Sequence, residues 1–409
     1  MKYLFYFFLL GFTLLSAQPG WNKITLSNAT MEFKSVRFVA PETVYAATTF
    51  NGFQRSVDSG KTWSGFGGSL PTTFPNKMHW FNSKRGFIVG TSGNFSKTIN
   101  GGQTWTSLPA SGEYNGIHFS DTSYGVAVGK SGSIVKTTNG GAFWNSLSVG
   151  STATLHGIWM IDSLIYYVAG QNGRIRKTTN GGSTWYMQLD KSPSQERFLD
   201  IQFITPLKGF AVSDSGLVYS TVDSGFTWKR YYLGPQSGAN DVHFINENTG
   251  WIAASQGKIF KTTDGGIAWG LQTTGLTNSL SGIHFLNANL GISAGAGGAM
   301  LRTTNGGGAI TTSVNDLNGF TPVMFSLSQN YPNPFNPSTE IEFTVSVREM
   351  VTVKVYDALG RAVATLADGQ MNSGSYRLTF NGEGLAGGVY FYRLSTGKYS
   401  EIKKMLLLK

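Results

Sequence analysis

One element recurs seven times in this chain and limits what it can fold into. An Asx–x–Gly turn falls at Asp58, Asn100, Asn139, Asn180, Asp223, Asp264 and Asn305, with successive spacings of 42, 39, 41, 43, 41 and 41 residues. Between turns the sequence offers only short apolar runs of about five residues, which suit strands and are too short for helices. A period near 40 residues with strand content specifies propeller blades. Each copy predicts four strands. The inner one ends in a triplet such as "VRF" (Val36–Phe38) or "IHF" (Ile283–Phe285), and a second opens on Gly, as in "GWIAA" (Gly250–Ala254). A third, such as "KIFKT" (Lys258–Thr262), leads into the Asx turn, and a Trp opens the fourth.

The turn explains its own residues. In "SVDSGKTW" (Ser56–Trp63) the Asp accepts backbone N–H bonds in an Asx-turn, which Asn also supports. Gly60 supplies positive φ without steric cost. Trp63 is expected to bury its ring between blades and to need a partner for its N–H. As calcium or substrate sites these loops are poor, because each holds one carboxylate at most and hard cations take six to eight oxygens.

The seventh copy has its turn at Asn305 but lacks a Trp strand, while "PGWNKITL" (Pro19–Leu26) reads as an orphan fourth strand. Trp21–Leu26 is therefore expected to complete the last blade and close the ring, which removes exposed edges.

The pattern Ser/Thr-x-Asp-x-Gly-x-Thr-Trp resembles the Asp-box of BNR-type propellers. Together with the Gly-rich strands and "KTTDGG" it is most similar to the repeats of the photosystem II assembly/stability factor family, over roughly Trp21 to Gly307. That resemblance places the Asp-box on the hairpin between third and fourth strands, away from the usual ligand face.

Both ends read as addresses. One Lys precedes an apolar run from Tyr3 to Leu15, followed by small residues at Ser16-Ala17, so residues 1–17 read as a secretory signal peptide. No later stretch is long and apolar enough to span a bilayer. Beyond the propeller (18–309) and a linker (310–324), residues 325–409 read as a small Ig-like β-sandwich, built from alternating runs after a Pro-rich start. Its "YPNPFNPSTEIEF", "VKVYDALGRAV", "LAGGVYFYRLS" and terminal "KKMLLLK" resemble the type A C-terminal sorting domain of the type IX secretion system of Bacteroidetes-like bacteria. The resemblance implies a translocon and a sorting peptidase as partners. It also implies passage through the periplasm to the outer cell surface, or release, of a Gram-negative bacterium.

Composition narrows the chemistry. There is no Cys, hence no disulfide and no thiolate. Charged residues make up 13% against a usual share of about 25%. The +10 charge is spread without a Lys/Arg block, which argues against nucleic acid. No motif requires a cofactor or a metal.

Four His residues, His79, His118, His243 and His284, share one inner-strand position with Arg37, Trp159 and Gln202; His156 lies beside it. They suggest a polar, pH-responsive pore lining. The preferred expectation is plainer: each His packs between blades and bonds a neighbouring backbone carbonyl. Sialidases share the Asp-box fold, and "VRFVAP" is similar to their first Arg motif. No other inner-strand triplet holds an Arg, so their triad is not assembled. Asp200 and Asp241 align on neighbouring inner strands and form the one candidate catalytic pair. At about 6.5–9.5 Å they would suit inverting glycoside hydrolysis. The alternative is that each caps an N–H at its strand start. A protein or glycan ligand is expected instead on the connections between blades, where Arg197 lies in the longest one (Tyr186–Phe198) and Arg230 and Tyr232 lie in "KRYYLGPQ".

Overall fold

The computed structural model describes residues 20–310 and 326–409, apart from 27–30, 50–51, 67–69, 71–73, 92–93, 110–111, 346–347, 373 and 398. The signal-peptide expectation, and all of the linker expectation but Ile310, lie outside them. The chain divides into two compact units, Met1–Thr312 and Ser313–Lys409.

The first unit is a ring of seven four-stranded antiparallel sheets. The inner strands, in blade order, are Phe33–Phe38, Pro75–Trp80, Tyr114–Phe119, Leu155–Met160, Phe198–Phe203, Ala239–Phe244 and Leu280–Phe285. Every one shows a register irregularity between its first and third residues, a bulge that re-aims the positions after it. The second strands, such as Gly125–Gly129 and Gly250–Ala254, are buried along their whole length, which is why they read as uninterrupted apolar runs.

Apolar burial is organised between blades rather than within them. Seven clusters form, one at each junction. The cluster joining blades 7 and 1 unites Ile292, Ala294 and Met300 with Val36, Phe38 and Ala46, so the ring is closed. The fourth strand of blade 7 comes from the other end of the chain: Asn22 pairs with Arg302 and Lys23 with Leu301. Trp21 is buried there, donating to Gln272 Oε1 at 3.1 Å.

The Asx turns staple the third and fourth strands. Asp58 accepts from Ser56 Oγ at 2.7 Å, Lys61 N–H at 3.0 Å and Thr62 Oγ1 at 2.6 Å, and Gly60, at φ 85°, donates its N–H to Ser56 Oγ at 2.8 Å. Asn100 makes an equivalent set, with its amide donating to Thr104 Oγ1 at 2.8 Å. Trp63 finds Gly60 O at 3.1 Å. Among the described residues no acceptor meets the buried indole N–H of Trp105, Trp144, Trp185, Trp228 or Trp269. Those rings meet aromatic neighbours edge-on, and that large apolar contact outweighs one unmade bond.

The second unit is a sandwich of two antiparallel sheets. One orders Ser326–Leu327, Ser338–Val345 and Gly374–Asn381; the other Ala362–Met371, Glu349–Tyr356, Gly388–Ser395 and Ser400–Leu407. Its core holds Phe335, Phe343, Val353, Tyr392 and Met405. The Pro-rich segment covers the free edge of the last strand. Phe335 exchanges backbone bonds with Leu406 and Leu408, Asn333 Oδ1 accepts from Leu406 N–H at 2.9 Å, and Gln329 donates to Lys404 O at 2.7 Å.

Candidate functional site

The inner strands are edge strands, so their pore-side N–H and C=O groups need partners from outside the sheet. Blades 3, 4, 6, 7 and 1 receive them from the one before. At the second strand position, Asn76, Asn115 and Asn240 donate to Tyr114 O, Leu155 O and Leu280 O at 2.9, 2.9 and 2.7 Å. At the fifth, Gln202 grips Phe244 from both sides, accepting from its N–H at 2.8 Å and donating to its C=O at 3.3 Å. His118 Nδ1 accepts from Met160 N–H at 3.2 Å, and His284 Nδ1 from Phe38 N–H at 3.4 Å, across the ring closure. His243 Nε2 meets Phe285 O at 3.1 Å.

His118, His243 and His284 thus serve as inter-blade pins, whereas the Nδ1 of His79 is buried with no partner among the described residues. Only His243 meets a carbonyl; His118 and His284 accept an N–H, because those edge donors face them. Burial, then the charge of Arg37, pushes His118 down to about 3 and His243 to about 4. His79 and His284 are also driven well below the usual range, first by burial. All four stay neutral near pH 7, so the ring of imidazoles is not the pH-responsive lining the pattern suggested. His156 stands at the second position of its strand rather than the fifth, its Nε2 buried with no partner among the described residues.

At the third position stand Ser35, Lys77, Gly116, Gly157, Asp200, Asp241 and Gly282. The glycines reflect crowding: a Cβ on Gly116 would lie 2.4 Å from His156 O. Asp200 Oδ2 accepts from Val242 N–H at 3.3 Å, and Asp241 Oδ2 from Ile283 N–H at 2.8 Å. These donors belong to the next blade, not to the start of the Asp's own strand as expected. Lys77 Nζ lies 2.5 Å from Asp241 Oδ1 and 3.5 Å from Asp200 Oδ1. Held by one ammonium at those two distances, the two Oδ1 atoms lie closer than the roughly 6.5–9.5 Å that leaves room for a water between an inverting pair. Arg37 feels both charges, but burial is the stronger influence and lowers its pKa.

A second group gathers at the junction of blades 4 and 5. Arg197 Nε donates to Asp214 Oδ2 at 2.7 Å and remains half exposed. The neighbouring Glu196 is buried and accepts from Tyr219 OH at 3.1 Å; Tyr219 is the cross-strand partner of Arg230. Arg230 and Tyr232 lie on the outer strand Lys229–Tyr232 opposite Tyr219 and Leu217. Arg197 and Arg230 thus lie on the two segments that the Glu196–Tyr219 bond and the strand pairing connect.

Sequence reasoning missed two sets of residues. Lys77 was visible as the one cation in the column that holds Asp200 and Asp241. The second set is the cation before each Asx turn: Lys97, Lys136, Lys177 and Lys261 donate to Gly140 O, Gly181 O, Ser224 O and Gly306 O in the next blade's turn, at 2.8, 3.2, 3.2 and 3.2 Å. Arg302 does the same to Ser59 O at 2.7 Å, again across the ring closure. Their recurrence in "KTT" was the available signal.

Ring, pins and capped sandwich define a seven-bladed Asp-box propeller followed by a C-terminal sorting domain. Residues 329–408 match the family described as "Secretion system C-terminal sorting domain", and residues 226–319 match "Photosynthesis system II assembly factor YCF48". No curated protein matches the chain. Among solved structures, YCF48 from Cyanidioschyzon merolae is 17% identical with a TM-score of 0.57, covering 70% of this chain and 98% of that one. A YCF48 bound to D1 peptide is 18% identical with a TM-score of 0.59, covering 70% and 96%. PorZ, described as an essential bacterial surface component of the type-IX secretion system of Porphyromonas gingivalis, is 14% identical with a TM-score of 0.53; the match covers 92% of this chain and 59% of PorZ. These identities speak for the fold. The combination of propeller and sorting domain fits a secreted or cell-surface protein of Bacteroidetes, and no helix among the described residues is long and apolar enough to cross a membrane.

Proposed function

We propose that this is a non-catalytic recognition module, carried through the periplasm and across the outer membrane by its sorting domain, and that it binds a protein or glycan on the face bearing the blade-to-blade connections. The observation that carries the reading is the pore: its carboxylates are engaged by Lys77 and by the next blade's backbone, which supports a structural role for them. The connections are free of that duty. Arg197 and Arg230 are exposed there beside Tyr232, on a rigid scaffold where recognition loops are usually found. That a YCF48 structure carries a bound peptide supports a peptide segment as the first ligand class to try.

The test uses the full chain in two arms. Surface biotinylation should find the intact protein outside the cell and a form lacking residues 325–409 inside the periplasm; equal display of both would overturn the export reading. Purified protein should capture a peptide or glycan from arrays, with loss on Arg197→Glu/Arg230→Glu. Polysaccharide hydrolysis abolished by Asp200→Asn or Asp241→Asn would instead establish a glycoside hydrolase.

A further inference from the structure

Rings of repeats are ordinarily held by contacts between neighbours. The pore contains an exception. Lys77 on blade 2 reaches over the axis to blades 5 and 6, with Nζ 2.5 Å from Asp241 Oδ1 and 3.5 Å from Asp200 Oδ1. Each carboxylate is fixed from behind by the following blade, through Val242 N–H and Ile283 N–H. One hydrogen-bonded unit therefore ties blade 2 to blades 5, 6 and 7. The repeat does not require it, since the other four blades hold Ser35, Gly116, Gly157 and Gly282 at that position.

The geometry points to a proton-controlled bolt across the pore: Lys77 and the Asp200–Asp241 carboxyl pair clamp opposite sides of the ring, and the protons held by the pair set how firmly the ring is closed.

The charged and titratable groups facing the pair are Lys77 from blade 2, Arg37 from blade 1 and His243 from blade 6. With both carboxyls ionised, two anions gathered on one ammonium repel each other. One proton between them removes the repulsion and leaves Asp241 paired with Lys77. Two protons strand Lys77 and Arg37 as enclosed cations without a counter-charge. The singly protonated pair is thus the tightest state. Burial, reinforced by Asp241 and opposed by Lys77, pushes Asp200 from its ordinary 3.8 up to about 7. Asp241 is lowered: burial opposes this, but Lys77 and the bonds from Asp200, Lys77 and Ile283 prevail. The raised Asp200 contributes stability that is complete below its ordinary value and lost as pH rises through about 7. The lowered Asp241 contributes stability present above its ordinary value and lost on further acidification.

All ten Trp residues lie in the propeller, so Trp fluorescence reports its unfolding within the full chain. The wild-type Tm should fall as pH is raised from about 5.5 to about 8.5 across that Asp200 value. Asp200→Asn keeps a carbonyl for Val242 N–H and fixes the neutral state, so the slope should flatten and its Tm at the alkaline end should exceed that of the wild type. Lys77→Met should lower Tm most at alkaline pH. Should that variant fail to fold, isotope-edited infrared spectroscopy of wild type provides a second readout: a protonated carboxyl at about pH 6 that is lost in Asp200→Asn. Equal slopes in wild type and Asp200→Asn, or no such carboxyl, would overturn the bolt.

Discussion

The pore edge and the Asx-turn rim are both written seven times by the same repeat, yet they are built on opposite plans. At the rim, nearly the same residues make nearly the same bonds in every blade: Thr98, Thr137 and Thr178 each accept the N–H of the Gly four residues on at 2.9 Å. At the pore, the fifth position holds Arg37, His79, His118, Trp159, Gln202, His243 and His284, and the bonds made by His118, Gln202, His243 and His284 are each a local solution to the next blade's open edge. The rim has redundancy, with several donors converging on one Asx side chain. The pore has little, because each backbone group there is served by one side chain. Substitutions should therefore cost more at the pore, and that ordering can be tested.

The largest effect is expected at Gln202, which is nearly buried and grips both polar groups of Phe244. Gln202→Leu keeps the approximate volume but strands an N–H and a C=O at the junction of blades 5 and 6. The cost should be about 2–3 kcal/mol in denaturant unfolding followed by Trp fluorescence. A loss below about 0.5 kcal/mol would mean that water meets those groups equally well, and the contrast between pore and rim would collapse.

A smaller loss is expected at the rim. Asp58→Ala removes the acceptor for Ser56 Oγ, Lys61 N–H, Thr62 N–H and Thr62 Oγ1 together. The turn is solvent-facing, so water replaces part of what is lost, and the cost should resemble that of a lost helix cap, about 1–2 kcal/mol. A value above that for Gln202→Leu in the same assay would reverse the ranking.

The contrast also explains what the sequence revealed. Blade number, Asx turns and the strand borrowed from Asn22–Lys23 were legible because rim and core positions repeat, and repetition is visible in one dimension. The bolt was not legible. Lys77 is separated from Asp241 by 164 positions, and only ring closure sets them 2.5 Å apart. Asp200 and Asp241 could be seen to align, but whether they face a water or each other depends on the pore's width, which no spacing encodes. The same holds at the junction of blades 4 and 5, where Arg197 was singled out from its loop while the buried Glu196 link to Tyr219, the cross-strand partner of Arg230, emerged only from the packing. In the sorting domain "YPNPF" was recognisable as a motif, but its work as an edge cover needed the partner strand Ser400–Leu407 to be in place.

The smallest effect sharpens the comparison furthest. Asn stands at the Asx position in four blades, and at Asn100 and Asn180 its amide donates to the Thr hydroxyl where Asp58 accepts. Asp58→Asn at pH 7 should therefore cost only a few tenths of a kcal/mol, well below the loss of a whole cap. Acid separates the two side chains. Burial works against the Asp58 carboxylate, but the donors from Thr62, Ser56 and Lys61 hold it at about 2, below its ordinary 3.8. A lowered carboxylate gives stability that is present above the ordinary value and lost as pH falls through about 2. Wild type should hold its small advantage in Tm at neutral pH and surrender it in strong acid, while the Asn variant contributes nothing to that decline. A difference that persists unchanged in acid would show that the rim depends on the shape of its hydrogen bonds and not on the charge of Asp58.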